Sequence, residues 1–80
     1  MYSYTLAMEI DTQVFMGACR KIENAFPSAK KKGLLIDVDG SMVQDYYIEG
    51  RKIRVQNDCY VYAVYIDSEL DLKELFVSLV

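Results

Sequence analysis

Hydrophobic and polar residues alternate along the first ten positions of the chain. Every second position carries a large hydrophobic side chain: Tyr2, Tyr4, Leu6, Met8 and Ile10. Successive side chains of a strand point to opposite faces of a sheet, so one face of this segment is apolar and the other is mostly polar. The pattern predicts a half-buried β-strand over residues 2–10.

The spacing of the hydrophobic residues then changes to that of a helix. The residues that recur every three or four positions are Phe15, Cys19, Ile22 and Phe26. Asp11 and Thr12 stand before them and can accept hydrogen bonds from the free N–H groups of a first helical turn. Pro27 follows them and disfavours helical geometry in the preceding residue. These signals predict an amphipathic helix that begins after Asp11 and ends before Pro27.

Four strands and a second helix are predicted for the rest of the chain. The strands cover residues 34–38, 41–49, 52–56 and 59–66, and the turn signals between them are Asp39-Gly40, Gly50-Arg51 and Asn57-Asp58. Asp71 and Glu74 have the spacing of a capping box, which marks the start of a helix. The apolar face of that helix is formed by Leu72, Leu75, Phe76 and Leu79.

The element order β-α-β-β-β-β-α predicts one α+β domain over residues 1–80. We expect a two-layer sandwich with a mostly antiparallel sheet of four or five strands and both helices on one face. The predicted last strand, residues 59–66, carries no charge and is apolar or aromatic on both of its faces. A strand of that kind must be covered on both sides. Because both helices lie on one face of the sheet, the other face of this strand requires a partner. We expect that partner to be a second copy of the same strand.

Tyrosine indicates where that partner would bind. The chain has seven tyrosines and no tryptophan, and tyrosine is enriched where a partner buries a surface that keeps a polar group. We therefore predict an interaction surface that combines the apolar last strand with a neighbouring tyrosine and with the acidic side of the last helix. Its residues are Tyr46, Tyr60, Tyr62, Val64, Glu69, Asp71 and Glu74.

Composition restricts the chemistry that the chain can perform alone. The absence of histidine removes Ser-His-Asp and Cys-His catalysis and histidine metal sites, so we expect no enzyme, no metal and no cofactor. No apolar run approaches the length of a membrane span, and the N-terminus does not resemble a signal peptide, so we expect a cytoplasmic protein without a membrane segment. Cys19 and Cys59 are expected to be reduced thiols, with a single disulfide as the alternative.

One segment has the form of a catalytic motif. Residues 33–41, Gly-Leu-Leu-Ile-Asp-Val-Asp-Gly-Ser, resemble the first motif of haloacid dehalogenase-type phosphatases. The resemblance implies that Asp37 would be the nucleophile and Asp39 the acid/base, acting on a phosphate held by magnesium. The family's other motifs belong to a much larger parallel α/β domain and have no counterpart in the remainder of this chain. We therefore interpret Asp39-Gly40 as a hairpin turn.

Two binding functions remain. The first, which we favour, is a non-enzymatic protein–protein interaction module, homodimeric, of the kind that bacteria and phages make as small regulators, inhibitors or accessory factors. The alternative is a single-stranded nucleic-acid-binding protein with a tyrosine-bearing sheet and basic loops. Its candidate residues are Lys30, Lys31, Lys32, Arg51, Lys52 and Arg54. The formal net charge of −3 and the pI near 4.7 oppose the alternative.

Overall fold

The computed structural model describes residues 1–76 and confirms the α+β architecture, with an antiparallel sheet and two helices. The spatial order of the strands is β1-β6-β5-β4-β2, and β3 also pairs with β4. The elements in chain order are β1 (Tyr2–Ala7), α1 (Thr12–Ala25), β2 (Lys30–Lys31), β3 (Leu35–Ile36), β4 (Met42–Ile48), β5 (Arg51–Asp58), β6 (Ala63–Ser68) and α2 (Lys73–Phe76). The short strand β2 lies between the predicted first helix and the predicted strand 34–38, where the sequence predicted no strand.

The first helix has the boundaries that its capping residues predicted. The Asp11 carboxylate accepts hydrogen bonds from the N–H groups of Gln13 at 2.9 Å and Val14 at 3.1 Å, which satisfies two free donors of the first turn. At the other end, the N–H group of Phe26 donates to the carbonyl of Ile22, and the helix stops before the proline. The buried face of α1 consists of Phe15, Ala18, Cys19 and Ile22.

The hydrophobic core lies between one face of the sheet and the helices. The sheet residues that point into it are fully buried: Tyr46, Ile53, Val55, Val64 and Ile66. Leu72 and Phe76 belong to the same cluster as the α1 residues, so both helices cover one face, as predicted. The ring of Phe76 lies 6.2 Å from that of Tyr4 between their centroids. Leu79, which was assigned to the same helix face, lies outside the described residues.

Several predicted strands are shorter than expected: the strand predicted over 34–38 is reduced to Leu35–Ile36, and the strand predicted over 41–49 to Met42–Ile48. β1 ends at Ala7, so Met8 and Ile10 lie in the loop that leads to α1, with Met8 83% exposed. The predicted strand 59–66 is wrong over its first half, because β6 begins at Ala63 and the four residues before it form a turn. The tight turn between β4 and β5 is formed by Glu49 and Gly50 rather than by Gly50-Arg51. Its φ angles of 52° and 80° are the positive values that a two-residue hairpin loop requires.

Candidate interaction surfaces

The edge of the sheet formed by β2 and β3 is exposed along its whole length. All eleven residues of the segment 30–40 are exposed, and only four of them pair with β4 in the sheet ladders. Four hydrophobic side chains lie in this segment: Leu34 at 44% exposure, Leu35 at 61%, Ile36 at 66% and Val38 at 104%. Soluble proteins usually protect an edge strand with charge or with a covering element, so an apolar exposed edge is unusual.

A turn with exposed aromatic residues lies next to this edge. The N–H group of Cys59 donates to the Ser41 hydroxyl at 2.9 Å, which joins the turn at residues 59–62 to the end of the β3–β4 hairpin. Within the turn, Tyr60 is 93% exposed and Tyr62 is 55% exposed. We call the combined surface the apolar end. It comprises Leu34, Leu35, Ile36, Val38, Tyr60, Val61 and Tyr62.

Asp58 fixes the shape of the aromatic turn. Its Oδ1 accepts hydrogen bonds from the N–H groups of Tyr60 at 2.8 Å and Val61 at 3.2 Å, and its Oδ2 accepts one from the Tyr65 hydroxyl at 3.0 Å. The Val61 N–H group, together with the other two donors, holds the pKa of Asp58 below its usual range. Tyr62 closes the turn with φ of 62°, in the left-handed region. Asp58 therefore acts as a cap where the sequence predicted the end of a simple hairpin.

The structure corrects part of the predicted interaction surface. Tyr46 and Val64 have no exposed area, because their strand positions face α1, so neither residue contributes to a surface of this chain. Tyr60 and Tyr62 are exposed, but in a turn and not on a strand face. β6 pairs with β1 on one side and β5 on the other, so it has no free edge for a second copy of itself.

The acidic residues of the predicted surface lie at the opposite end of β6 from the tyrosines, about 20 Å away at the usual rise per strand residue. Glu69 and Asp71 are engaged locally. The Glu69 carboxylate accepts from the Lys52 N–H group at 2.6 Å, and the Asp71 carboxylate accepts from the N–H group of Lys73 and the Tyr4 hydroxyl. Glu74 is exposed on α2. The structure therefore does not combine the acids and the tyrosines in one surface.

The two aspartates of the phosphatase-like segment have local hydrogen-bonding roles. The Asp37 carboxylate accepts from the N–H group of Val38 at 2.7 Å, and the Asp39 carboxylate accepts from the N–H group of Ser41 at 2.8 Å. The Gly40 N–H group donates to the Asp37 carbonyl across the same turn, where Gly40 adopts φ of 88°. These contacts are those of an aspartate-glycine hairpin turn.

Four of the six predicted basic residues lie on the open face of the sheet, which neither helix covers. Lys30 and Lys52 are the cross-strand neighbours of Tyr47, on β2 and β5 respectively. The ammonium of Lys32 lies 5.6 Å from the centre of the Tyr47 ring, within the range of a cation–π interaction. Arg54 occupies the next open-face position along β5.

The remaining two basic residues lie elsewhere. The Lys31 ammonium contacts the Glu23 carboxylate of α1 at 3.1 Å, on the covered side of the sheet. Arg51 pairs with Ile48 at the start of β5 and, by strand alternation, belongs to the covered side as well. The predicted set of six is therefore divided between the two faces.

An acidic residue lies within the basic part of the open face. Asp45 receives two hydrogen bonds from the Arg54 guanidinium, at 2.8 and 2.9 Å, and its carboxylate lies 3.9 Å from the Lys52 ammonium. The Arg54 guanidinium holds the pKa of Asp45 below its usual range. This pairing neutralises Arg54, so the positive potential near Tyr47 comes mainly from the lysines.

Sequence reasoning missed the most exposed part of the molecule. Leu34, Leu35, Ile36 and Val38 were assigned to a strand of the sheet without a separate role, and Val61 was assigned to the last strand. One available signal was the count of covering elements. One helix of 14 residues and one of four leave few elements to cover the sheet. The three lysines and the glycine before Leu34 were a second signal, because they mark the edge of a fold.

No protein-family model, curated protein or solved structure matches this chain. Within residues 1–76, no helix combines the length and the hydropathy that crossing a bilayer requires. The same residues contain no group of three cysteine or acidic side chains arranged to hold a metal ion.

Proposed function

We propose that this protein is a small cytoplasmic interaction module that binds a protein partner through the apolar end and acts as a regulator, inhibitor or accessory factor. The observation that carries the proposal is the exposure of the segment 30–40, where Leu35 and Ile36 are more than half exposed on an edge strand. Cys19 and Cys59 are both free thiols, which supports a reducing compartment.

Burial of the exposed side chains can supply a large part of the free energy of binding to a partner. Burying one leucine or isoleucine side chain is worth about 1.5–3 kcal/mol when it is fully removed from water. The aromatic rings of Tyr60 and Tyr62 add area with little conformational entropy to lose, and their hydroxyls can stay hydrated at the rim of an interface. The turn that presents both rings is fixed by Asp58, so less ordering is required on binding.

The experiment is affinity purification from the native host with quantitative mass spectrometry, comparing wild type with Leu35→Glu. We expect a partner, either another protein or the chain itself, to be recovered with wild type and reduced at least about tenfold with Leu35→Glu. Tyr2→Ser is the matched control, because Tyr2 is 45% exposed and lies at the other end of the sheet. Equal recovery with all three proteins, with unchanged circular dichroism spectra, would refute the proposal.

A second candidate function is the binding of single-stranded nucleic acid by the open face. It is supported by Tyr47, whose ring has Lys30, Lys32 and Lys52 around it on an uncovered sheet. A base would stack on the ring while the lysines contact phosphates. The test is fluorescence anisotropy with a labelled oligonucleotide at several salt concentrations, for wild type and Lys52→Gln. Binding that is absent at low salt, or that does not weaken as salt rises, would exclude it.

A further inference from the structure

We infer that the partner at the apolar end is a second copy of this chain, paired antiparallel along the edge segment 30–40. The inference rests on the proposed function, because it names the occupant of the same surface. It differs from the dimer predicted from the sequence, in which the last strand would pair with itself. That strand lies inside the sheet, whereas β2 and β3 form an edge with no neighbour on their outer side among residues 1–76.

The two ends of this edge carry opposite charges, so the edge is electrostatically complementary to the same edge of a second copy. Lys30 and Lys32 stand at one end of the exposed segment, and Asp37 and Asp39 stand at the other. A two-fold axis through the middle of the segment reverses its direction in the second copy. The lysine end of each edge then lies beside the aspartate end of the other, so opposite charges meet twice in the dimer. Such complementarity favours this partner and disfavours a parallel arrangement, which would bring like charges together.

The hydrophobic side chains occupy the centre of the same segment. With the axis at Leu35, each Leu34 lies beside Ile36 of the second copy. Both residues belong to the covered side of the sheet, because Ile36 pairs with Met42 and Leu34 lines a groove with Met16 of α1. The groove therefore continues from one copy to the next. The two Leu35 side chains meet on the open face, which gives an apolar centre flanked by charged ends.

The geometry of the edge is compatible with continuous pairing of strands. β3 is already extended and hydrogen-bonded to β4 on its inner side, so its backbone is ordered before a second copy arrives. Antiparallel joining would extend the sheet across the two-fold axis and remove an unprotected edge from each chain. The turns at residues 37–40 and 59–62 would flank the joined strands, and their exposed side chains would enlarge the contact.

A charge-reversal experiment tests the pairing directly. One variant, Lys30→Glu with Lys32→Glu, has an edge that is acidic at both ends. The other, Asp37→Lys with Asp39→Lys, has an edge that is basic at both ends. Sedimentation equilibrium over a concentration range from roughly micromolar upward should show a dimer for wild type. Each variant alone should dimerise at least about tenfold more weakly, and an equimolar mixture of the two should recover a heterodimer with near wild-type affinity.

The lysine substitutions also remove the carboxylates that stabilise the turn, so a folding control is needed. Asp37→Asn with Asp39→Asn keeps the side-chain acceptors of Val38 and Ser41 while removing the charge. This variant should keep the wild-type circular dichroism spectrum and still dimerise more weakly at low salt.

Three results would overturn the inference. They are a monomeric wild type at all concentrations, variants that dimerise as well as wild type, and a mixture that stays monomeric although both variants are folded. These failures are distinct from failure of the proposed function. A monomeric wild type that still recovers another protein through Leu35 would remove the second copy as partner and leave the interaction module standing.

Discussion

The buried hydroxyl of Tyr46 provides a sharp test of how the sheet and α1 are held together. Tyr46 has no exposed area, and its hydroxyl donates a short hydrogen bond to the Glu23 carboxylate on α1. Burial and this contact raise the pKa of Tyr46, so the hydroxyl keeps its proton at pH 7 and donates to the charged carboxylate. Tyr46→Phe keeps the ring and removes only the hydroxyl, which also contacts the Cys19 thiol. The part of the loss that belongs to Glu23 is therefore identified by its pH dependence.

The expected loss of stability follows from the surroundings of the carboxylate. A hydrogen bond to a charged group is worth about 1.5–3 kcal/mol when the partner is left unsatisfied. The Glu23 side chain is 39% exposed and stays 3.1 Å from the Lys31 ammonium. In the variant, water and Lys31 therefore replace part of the stabilisation that the Tyr46 hydroxyl gives the carboxylate. We therefore expect Tyr46→Phe to lower the free energy of unfolding by about 1–2 kcal/mol at pH 7. Urea denaturation with an unchanged m value would measure it.

The pH dependence separates this hydrogen bond from a packing effect. The Tyr46 hydroxyl holds the pKa of Glu23 below its usual range, so the charged carboxylate is favoured in the folded state. The stabilisation is fully present above the pKa of glutamate in the unfolded chain, and it is lost as the pH falls through the lower pKa of the folded state. The difference between wild type and Tyr46→Phe should therefore shrink between pH 7 and a pH of roughly 2.5.

Tyr47→Phe is the matched control, because Tyr47 is the next residue of β4 and faces the open side of the sheet. Tyr47→Phe should change the free energy of unfolding by no more than about 0.5 kcal/mol. The reasoning fails if Tyr46→Phe costs less than about 0.5 kcal/mol, or if its cost is the same at both pH values.

Two further substitutions test local structure, each measured by the same denaturation experiment. Glu49→Asn should stabilise the protein by about 0.5–1 kcal/mol, because Glu49 holds φ of 52° in the β4–β5 turn, where asparagine is favoured; a destabilised variant would contradict this reading. Asp11→Ala should cost about 0.5–2 kcal/mol through loss of the α1 cap, whereas Asp11→Asn, which keeps an acceptor oxygen, should cost much less. An Asp11→Ala variant as stable as wild type would show that the cap contributes nothing.

The elements with local signals were predictable from the sequence. Asp11 and Pro27 bound α1 as expected. The flanking turn signals gave the position of β4, and hydrophobic alternation gave that of β5, because each signal depends on a few neighbouring residues. The strand order was not predictable, because it depends on contacts between distant segments. The exposed edge was signalled only indirectly, by the few covering helices and by the lysines before Leu34. The fourteen-residue helix covers the centre of the sheet, and nothing in the local sequence of residues 34–38 records that it stops short of them.

The aromatic turn was missed for a different reason. Residues 59–66 have a composition typical of strands, and tyrosine, valine and isoleucine all favour extended structure. The Asp58 carboxylate accepts hydrogen bonds from the N–H groups of Tyr60 and Val61. These bonds outweigh the preference for extended structure and bend the chain before β6 begins. The candidate site was therefore partly predictable: its tyrosines were recognised, but their geometry was not.

The pairing of β1 with β6 has a consequence for how the chain folds. Ser3 and Asp67, which are hydrogen-bonded at 2.7 Å, stand 64 positions apart in the sequence. The entropy of closing so long a loop must be lost before the contacts of β1 form, and such distant pairing slows folding. The hairpins of β4, β5 and β6 need no such closure. β1 should therefore join the sheet last, and until it does, β6 presents a second open edge to any neighbouring chain.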